Sequence, residues 1–203
     1  LMLFSRSPTA RSTLHRPLRA TVDQVLEICR SSFERQIKVE LDDRTPPGLI
    51  CDPSPLQQAL LNVLLNARDA VVERPAPTIR VELGLVAAGD DAGRVPPSTR
   101  APGTHLLRVT VDDNGVGMDD ATRRRVFEPF FTTKPVGHGT GLGLATSYAM
   151  LHEAGGHIAC TSRPGEGSSF VLWLPVTTAP APARGRATPE PTPRGERVLV
   201  VDD

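Results

Sequence analysis

The chain has 203 residues, and its 23 lysines and arginines balance 23 aspartates and glutamates, so the formal net charge is zero. A neutral balance excludes the basic surface expected of a nucleic-acid or anionic-membrane binder. No apolar run approaches the roughly 18 residues of a membrane span, and no signal-peptide pattern opens the chain. The three cysteines lie far apart and fit neither a zinc site nor a disulfide framework. We therefore expect a soluble, cytoplasmic domain that contacts neither nucleic acid nor membrane directly.

Two helix starts are indicated by capping patterns. Apolar residues recur at helical spacing from Thr21, and Thr21 with Gln24 fits a capping box. The run Ser54-Pro-Leu-Gln is typical of a second start, with Ser54 as the N-cap, and an apolar face follows until Pro75. Alternating or short apolar runs predict strands at 38–41, 49–51, 79–85, 107–111, 157–161 and 169–174, and a further helix is predicted at 141–153.

Composition divides the chain into four segments. Residues 1–15 are predicted to be the end of an upstream element and a connector, and residues 16–176 the globular domain. The proline-rich residues 177–196 predict a semi-extended linker, and residues 197–203 begin a new strand. Within the domain, residues 87–104 predict a long exposed loop. Because the first residue is not methionine, we expect a piece of a longer protein.

Three polar residues share one face of the second predicted helix. Asn62, Asn66 and Asp69 are spaced at i, i+4 and i+7, on a face separate from the leucine stripe. Such a face is ordinarily solvated surface. Its amide and carboxylate oxygens are, however, the ligands that Mg²⁺ prefers. The residues alone leave both interpretations open.

A predicted strand runs into Asp113, which Gly115 and Gly117 follow. A carboxylate at a strand end accepts a hydrogen bond from an exocyclic amine such as that of adenine, and glycines permit the close approach of a flat ligand. An ordinary Asx turn has the same sequence. Here too, both interpretations stay open.

Two further segments complete the candidate site. Three phenylalanines within residues 127–131 predict either a hydrophobic clip on a loop or the anchor of a mobile cover, with Lys134 as a point charge for phosphate. Glycines at every second position of 137–143 open a helix, where freed N–H groups favour phosphate. The run is neither a dinucleotide fingerprint, because Leu144 stands where glycine is needed, nor a P-loop. Four glycines in seven residues are hard to explain by packing alone.

Taken in order, these segments resemble the sequence boxes of sensor histidine kinases. Residues 62–70 resemble the N box, 113–118 the G1 box, 127–134 the F box, 139–144 the G2 box and 165–170 the last glycine motif. The resemblance extends over residues 16–176. It implies an α/β fold of the Bergerat type, which is a two-layer α+β sandwich. In that fold helices cover one face of a mixed β-sheet, and ATP lies between a helix and a lid, here residues 119–140.

The resemblance implies a protein histidine kinase that uses ATP and Mg²⁺. Its γ-phosphoryl acceptor is a histidine on an upstream phosphoacceptor and dimerisation domain, for relay to the aspartate of a response-regulator receiver domain. Residues 1–6 resemble the end of a dimerisation helix and residues 198–203 the first receiver strand, which implies a hybrid kinase and a homodimeric full-length protein. None of the five histidines has a phosphoacceptor context. We therefore expect this chain to bind ATP without phosphorylating itself.

The resemblance also implies residue roles. Asn66 would be the Mg²⁺ ligand, Asn62 would line the phosphates or hold a metal-bound water, and Lys134 would assist phosphoryl transfer. Asp113 would accept from adenine N6, with Ser168 hydrogen-bonding nearby. The remaining nucleotide-binding residues implied are Asp69, Gly115, Gly117, Met118, Thr132, Gly139, Thr140, Gly141, Leu142, Gly143 and Leu144, of which the last six would cradle the polyphosphate.

Two alternatives stay open beside the kinase interpretation. One is another ATPase of the same fold, which the F box, the compact glycine run and the two flanks disfavour. The other is a non-catalytic nucleotide-binding scaffold, which the full set of ligand residues disfavours. One departure is Asp69, an acid where many relatives carry a phosphate-binding lysine; it is familiar in the subgroup that reads Asn-Ala-Arg-Asp-Ala.

Overall fold

The computed structural model describes residues 16–87, 105–135 and 139–178. The predicted segments 1–15 and 197–203, nearly all of the loop 87–104 and most of the linker lie outside these residues, as do residues 136–138. The described elements, in chain order, are β1 (Arg16–Pro17), α1 (Leu18–Ser32), β2 (Lys38–Asp43), β3 (Leu49–Cys51), α2 (Pro53–Val71), β4 (Thr78–Ala87), β5 (His105–Asp113), α3 (Asp120–Arg125), α4 (Gly143–Glu153), β6 (His157–Arg163) and β7 (Gly167–Thr178).

Strand β7 organises the sheet. It pairs antiparallel with β5 over most of its length, with β6 over its first half and with β3 at its last two residues. Strand β4 pairs antiparallel with β5 and parallel with β2. The sheet is therefore mixed, and the predicted α/β two-layer fold is confirmed.

Helices α1, α2 and α4 bury their apolar residues in one core with the sheet. The leucine stripe of α2 is fully buried, as predicted, against inward-facing residues of β4 and β5. Each buried leucine stabilises the fold by about 2 kcal/mol. This packing fixes α2 across the sheet and leaves its polar face free for a site. Among the described residues, no helix has both the length and the apolar character needed to cross a membrane.

Helix α1 begins earlier than the capping pattern predicted. Its first residue is Leu18, and Pro17 holds the N-cap position. Thr21 is buried inside the helix, where its hydroxyl donates to the Pro17 carbonyl at 3.1 Å. The predicted capping box of Thr21 and Gln24 is therefore wrong, because proline sets the start one turn earlier and the threonine hydroxyl bonds backward along the helix.

Helix α2 also begins earlier than predicted. Asp52 is its N-cap, and the Asp52 carboxylate accepts from the Ser54 N–H at 3.0 Å. The assignment of Ser54 as the N-cap is therefore wrong: Asp52, two residues upstream, caps the helix, and Pro53 takes the first helical position.

The start of α4 and the end of β7 also differ from the sequence prediction, because a glycine conformation decides the first and strand pairing the second. Helix α4 begins at Gly143 and not at Gly141, since Gly141 has a φ of +64°, outside the helical region. Strand β7 reaches Thr178, so it includes the first two residues of the predicted linker. The short elements β1 and α3 had no sequence prediction.

Candidate functional site

A polar row lies on the helix-covered face of the sheet, where strands β5 and β6 end and strand β7 begins. Asp113 of β5 lies directly opposite Ser168 of β7, which lies directly opposite Ser162 of β6. The nearest row on the same face is buried and consists of Val111, Phe170 and Cys160. Because side chains alternate between faces, the polar row continues the core face past its last apolar residues. The row therefore sits where the core opens.

The Asp113 carboxylate is almost fully buried, with a relative exposure of 8%. Its Oδ1 accepts from the N–H groups of Gly115 at 2.9 Å and Ser168 at 3.2 Å. Burial raises the pKa of Asp113 above its usual value, and the two backbone hydrogen bonds only partly offset this. The hydrogen bond from the Gly115 N–H closes an Asx turn, which is one of the two interpretations that the sequence left open. This turn uses only one of the two carboxylate oxygens. Among the residues that the structure describes, the other oxygen has no hydrogen-bond donor, so it can accept from a donor on a ligand.

The G1 loop packs tightly against its surroundings at two glycines. A Cβ on Gly117, whose φ is +67°, would lie 1.9 Å from the Arg163 carbonyl oxygen, and one on Gly115 would lie 2.6 Å from the Ala70 Cβ. The N–H of Met118 donates to the Ser162 hydroxyl at 2.8 Å. These glycines therefore let the loop dock between helix α2 and the β6–β7 turn.

Asn62 connects the two helices that border the site. Its Nδ2 donates to the Gly143 carbonyl at 2.8 Å and to the Ser147 hydroxyl at 2.9 Å. Ser147 is fully buried, and sequence reasoning missed it. No local sequence signal marks Ser147, because its role depends on how α4 packs against α2. Asn62 is thus held at the α2–α4 interface and does not lie on a solvated face.

Asn66 and Asp69 hold a cation between them, the ammonium of Lys134. Lys134 Nζ donates to Asn66 Oδ1 at 3.3 Å and forms an ion pair with the Asp69 carboxylate. Arg68 also donates to Asp69, at 2.6 Å. Burial alone would raise the pKa of Asp69, but the hydrogen bonds and charges of Lys134 and Arg68 hold it below its usual value. The structure thus brings the N box and the F box into direct contact.

The donor set around that ammonium fits Mg²⁺. An amide oxygen and a carboxylate oxygen on successive turns of α2 converge on one cation position, and Mg²⁺ takes such oxygens together with water and substrate phosphates. Within residues 16–87, 105–135 and 139–178, no cluster of three histidine, cysteine or acidic residues offers a different metal site. A bound Mg²⁺ would be held by Asn66 with Asp69 beside it.

One of the three F-box phenylalanines, Phe127, acts as a hydrophobic clip. The Phe127 ring packs at 5.7 Å from Tyr148 and 6.5 Å from Phe170, measured between centroids. The Phe131 ring lies 4.3 Å from the Arg125 guanidinium. Phe130 differs, since it is 75% exposed and has a φ of +65°. Phe127 therefore fastens this part of the lid to the rest of the domain, whereas Phe131 contacts Arg125 within the lid and Phe130 lies in solvent.

The glycine run packs against the F box. A Cβ on Gly141 would lie 2.4 Å from the Phe130 carbonyl carbon, and the Gly141 carbonyl accepts from the Phe130 N–H at 2.9 Å. A Cβ on Gly139 would lie 2.7 Å from the Thr132 hydroxyl, which itself accepts from the Lys134 N–H. Contrary to the sequence expectation, packing accounts for these two glycines.

The start of α4 is open for an anion. Leu142, at the N-cap, makes no side-chain capping bond, so the N-cap side chain does not satisfy the first-turn N–H groups, which can bind an anion. The Leu142 N–H itself donates to the Thr140 hydroxyl at 3.3 Å. Leu144 is buried in the core and anchors this end of the helix. A Cβ on Gly143 would lie 3.4 Å from Asn62 Cγ, so the helix start and the N box are in contact.

The chain is similar to known proteins over most of its length. Residues 51–178 match a family model described as histidine kinase-, DNA gyrase B- and HSP90-like ATPase. The two-component sensor PprA of Pseudomonas aeruginosa is 41% identical over 131 residues, which are 64% of this chain and 13% of that protein. The chain spans between 13% and 27% of the length of the first three curated relatives it matches.

Two solved structures share the fold over most of the chain. The mycobacterial sensor histidine kinase MprB has a TM-score of 0.61 and 26% identity, covering 81% of this chain and 99% of that one. Full-length ShkA, in complex with AMPPNP, has a TM-score of 0.64 and 25% identity, covering 84% of this chain and 33% of that one.

Proposed function

Because the chain belongs to the histidine kinase-, DNA gyrase B- and HSP90-like ATPase family, and its relatives are sensor histidine kinases, we propose that it binds ATP with Mg²⁺ as a kinase catalytic domain. The γ-phosphoryl group passes to a histidine on a separate phosphoacceptor and dimerisation domain, and from there to a receiver aspartate. On this proposal the full-length protein is a homodimeric hybrid kinase, with its receiver domain on the same chain, and its catalytic domain lies in the cytoplasm.

The observation that carries this proposal is that helix α2 connects two parts of the site. One is Asp113, where the base of the nucleotide would bind, and the other is the pair Asn66 and Asp69, which holds a cation. The N–H of Val116, in the G1 loop, donates to the Ala70 carbonyl of α2 at 3.1 Å. Ala70 directly follows Asp69, and Asn66 lies one turn earlier on the same helix. The carboxylate of Asp113 and the cation-holding oxygens are therefore fixed relative to each other. ATP likewise joins a purine base covalently to a polyphosphate, so a site whose two parts are fixed on one scaffold suits it.

Each group then has a physical role. Bound at Asn66, Mg²⁺ would neutralise charge on the phosphate oxygens of ATP. Asn66 would hold that ion through its amide oxygen, and Lys134 moves from Asp69 to a phosphate oxygen as a compact positive charge. The open N–H groups at the start of α4 bind the remaining phosphate oxygens. Phosphoryl transfer depends chiefly on such positioning and charge neutralisation.

Nucleotide binding is tested first by calorimetric titration with AMPPNP and Mg²⁺. The wild-type chain is expected to bind, and Asp113→Asn is expected not to, since an amide nitrogen or a neutral oxygen replaces the charged acceptor. The matched control is Asp112→Asn, which removes the same charge from the opposite face of β5 and keeps binding. A folded wild-type chain that binds no AMPPNP would contradict the proposal.

Transfer is tested with ATP labelled at its γ-phosphate. The chain alone is expected to stay unlabelled, and labelling of a phosphoacceptor domain from a related sensor kinase is expected once that domain is added. The label should be labile to acid and stable to base, as a phosphohistidine is. Binding of AMPPNP with no transfer to any phosphoacceptor domain supplied would favour the scaffold interpretation.

A further inference from the structure

Ser162 lies at the centre of a hydrogen-bond network close to Asp113, where the base of the nucleotide would bind. Its hydroxyl oxygen is 2.8 Å from the Met118 nitrogen, 2.8 Å from the Gly167 carbonyl oxygen and 3.0 Å from the Ser168 hydroxyl oxygen. Ser168, in turn, lies directly opposite Asp113 across the β5–β7 pair. Ser162 therefore contacts the G1 loop, the β6–β7 turn and the polar row at once.

The chemistry of these partners fixes the direction of each hydrogen bond. An amide N–H can only donate, so Ser162 accepts from Met118. A carbonyl can only accept, so the single hydroxyl proton of Ser162 goes to Gly167. The contact between the two serines then needs a proton from Ser168, because Ser162 has already donated its own. The Ser168 hydroxyl is left with lone pairs, and no proton, for the pocket.

We propose that Ser162 is a specificity-determining residue that selects adenine over guanine by fixing the direction of the Ser168 hydroxyl. Asp113 and Ser168, side by side, then offer acceptors only. An exocyclic amine carries two N–H donors and satisfies both. The keto oxygen at the same position of guanine would face two acceptors and leave them unpaired. This inference rests on the proposed function, because it concerns the base of the nucleotide bound at that site.

The loss of Ser162 has a different consequence for the two bases. In Ser162→Ala, the Ser168 hydroxyl regains a free proton and can donate to a keto oxygen as readily as it accepts from an amine. Discrimination is therefore reduced but not abolished, because the unchanged Asp113 carboxylate still offers only an acceptor to the keto oxygen. A site that merely loses support would instead weaken for both bases together, since the phosphates and ribose are common to both nucleotides.

The test compares the dissociation constants of AMPPNP and GMPPNP, each with Mg²⁺. Wild type is expected to prefer AMPPNP, and Ser162→Ala to reduce that preference by about tenfold, the effect of one neutral hydrogen bond. Ser162→Thr keeps a hydroxyl and is expected to keep the preference. Ser169→Ala, on the opposite face of β7, is the matched control and should leave both affinities unchanged.

A second comparison separates this role from simple loop support. In a Ser168→Ala background, Ser162→Ala should not change the ratio of the two affinities further, because the hydroxyl that it orients is gone. A parallel fall in both affinities, with the ratio unchanged, would overturn the inference alone. A wild-type chain that binds neither nucleotide would overturn the proposed function, and the inference with it.

Discussion

The side chain of Asn62 joins helix α2 to a serine that has no contact with solvent, donating from Nδ2 to the Ser147 hydroxyl at 2.9 Å. The same nitrogen donates to the Gly143 carbonyl, and Ser147 also donates to that carbonyl, at 2.9 Å. A closed triangle of hydrogen bonds therefore fixes the first turn of α4 against the N box. Asn62 positions the start of α4 through this triangle.

Replacement of Ser147 by alanine should destabilise the fold and weaken nucleotide binding. One donor of Asn62 loses its acceptor in a buried place, which lowers the free energy of unfolding by about 1 kcal/mol. The first turn of α4 then shifts, and the affinity for AMPPNP falls. Urea denaturation and calorimetry measure the two effects. Thr146→Ala, at the exposed neighbouring position, is the control; equal results for the two variants would contradict this role.

Asp113→Asn should stabilise the nucleotide-free chain while it abolishes binding. The pKa of Asp113 is raised, so the folded chain holds this proton more tightly than the unfolded chain. The ionised carboxylate therefore costs stability at neutral pH, and its removal is expected to raise the free energy of unfolding. The asparagine Oδ1 still accepts from Gly115 and Ser168.

The pH dependence of the stability difference between Asp113→Asn and wild type tests whether the buried charge is its cause. The gain of Asp113→Asn over wild type should shrink as the pH falls through the raised pKa of the folded state, and should vanish below about pH 4, where the unfolded chain is protonated too. Denaturation curves at a series of pH values give this profile. A gain that does not change with pH would show that burial of the charge is not its source.

The positions of Asp113 and Asn66 could be predicted from the sequence, because strand alternation and helical spacing are local rules. The partners of these residues could not. Lys134 meets Asp69 across 65 residues of chain, and Asn62 meets Ser147 across 85. Such contacts depend on how the lid and α4 pack on α2, which no local pattern encodes. Ser162 was missed for a related reason: its role appears only when the β6–β7 register is known.

The helix starts show a different limit. Both Ser54 and Asp52 are good N-cap residues, and prolines at 53 and 55 suit either start. Local preference does not separate two such neighbours. The tertiary placement of α2, whose Pro55 and Leu56 are buried, decides for the earlier one.

Lys134→Ala should loosen the lid in the absence of nucleotide. The Lys134 ammonium connects the F box to Asn66 and Asp69, so its removal leaves the Phe127 ring contacts and the hydrogen bond from the Phe130 N–H to the Gly141 carbonyl to hold that segment. Trypsin is expected to cleave after the arginines of α3 faster in the variant than in wild type, and the affinity for AMPPNP should fall about tenfold. Lys38→Ala, a lysine on β2 that pairs with Glu40, is the control. Unchanged cleavage would rule out an anchoring role.

Gly141→Ala and Gly48→Ala form a matched pair that separates backbone strain from close packing. Both glycines have a positive φ, +64° for Gly141 and +83° for Gly48. A Cβ on Gly48 meets nothing within 4 Å, whereas one on Gly141 would lie 2.4 Å from the Phe130 carbonyl carbon. Gly48→Ala is therefore expected to cost only the left-handed strain of about 1 kcal/mol, and Gly141→Ala at least twice as much.

The two variants should also differ in function. In Gly141→Ala the added methyl group pushes the glycine run away from the F box and breaks the hydrogen bond from the Phe130 N–H to the Gly141 carbonyl. The start of α4 and Lys134 then separate, and AMPPNP affinity is lost. Gly48→Ala lies in the loop before β3 and should bind AMPPNP like wild type. Equal losses of stability in the two variants, or normal binding by Gly141→Ala, would show that the contact between the glycine run and the F box does not support the site.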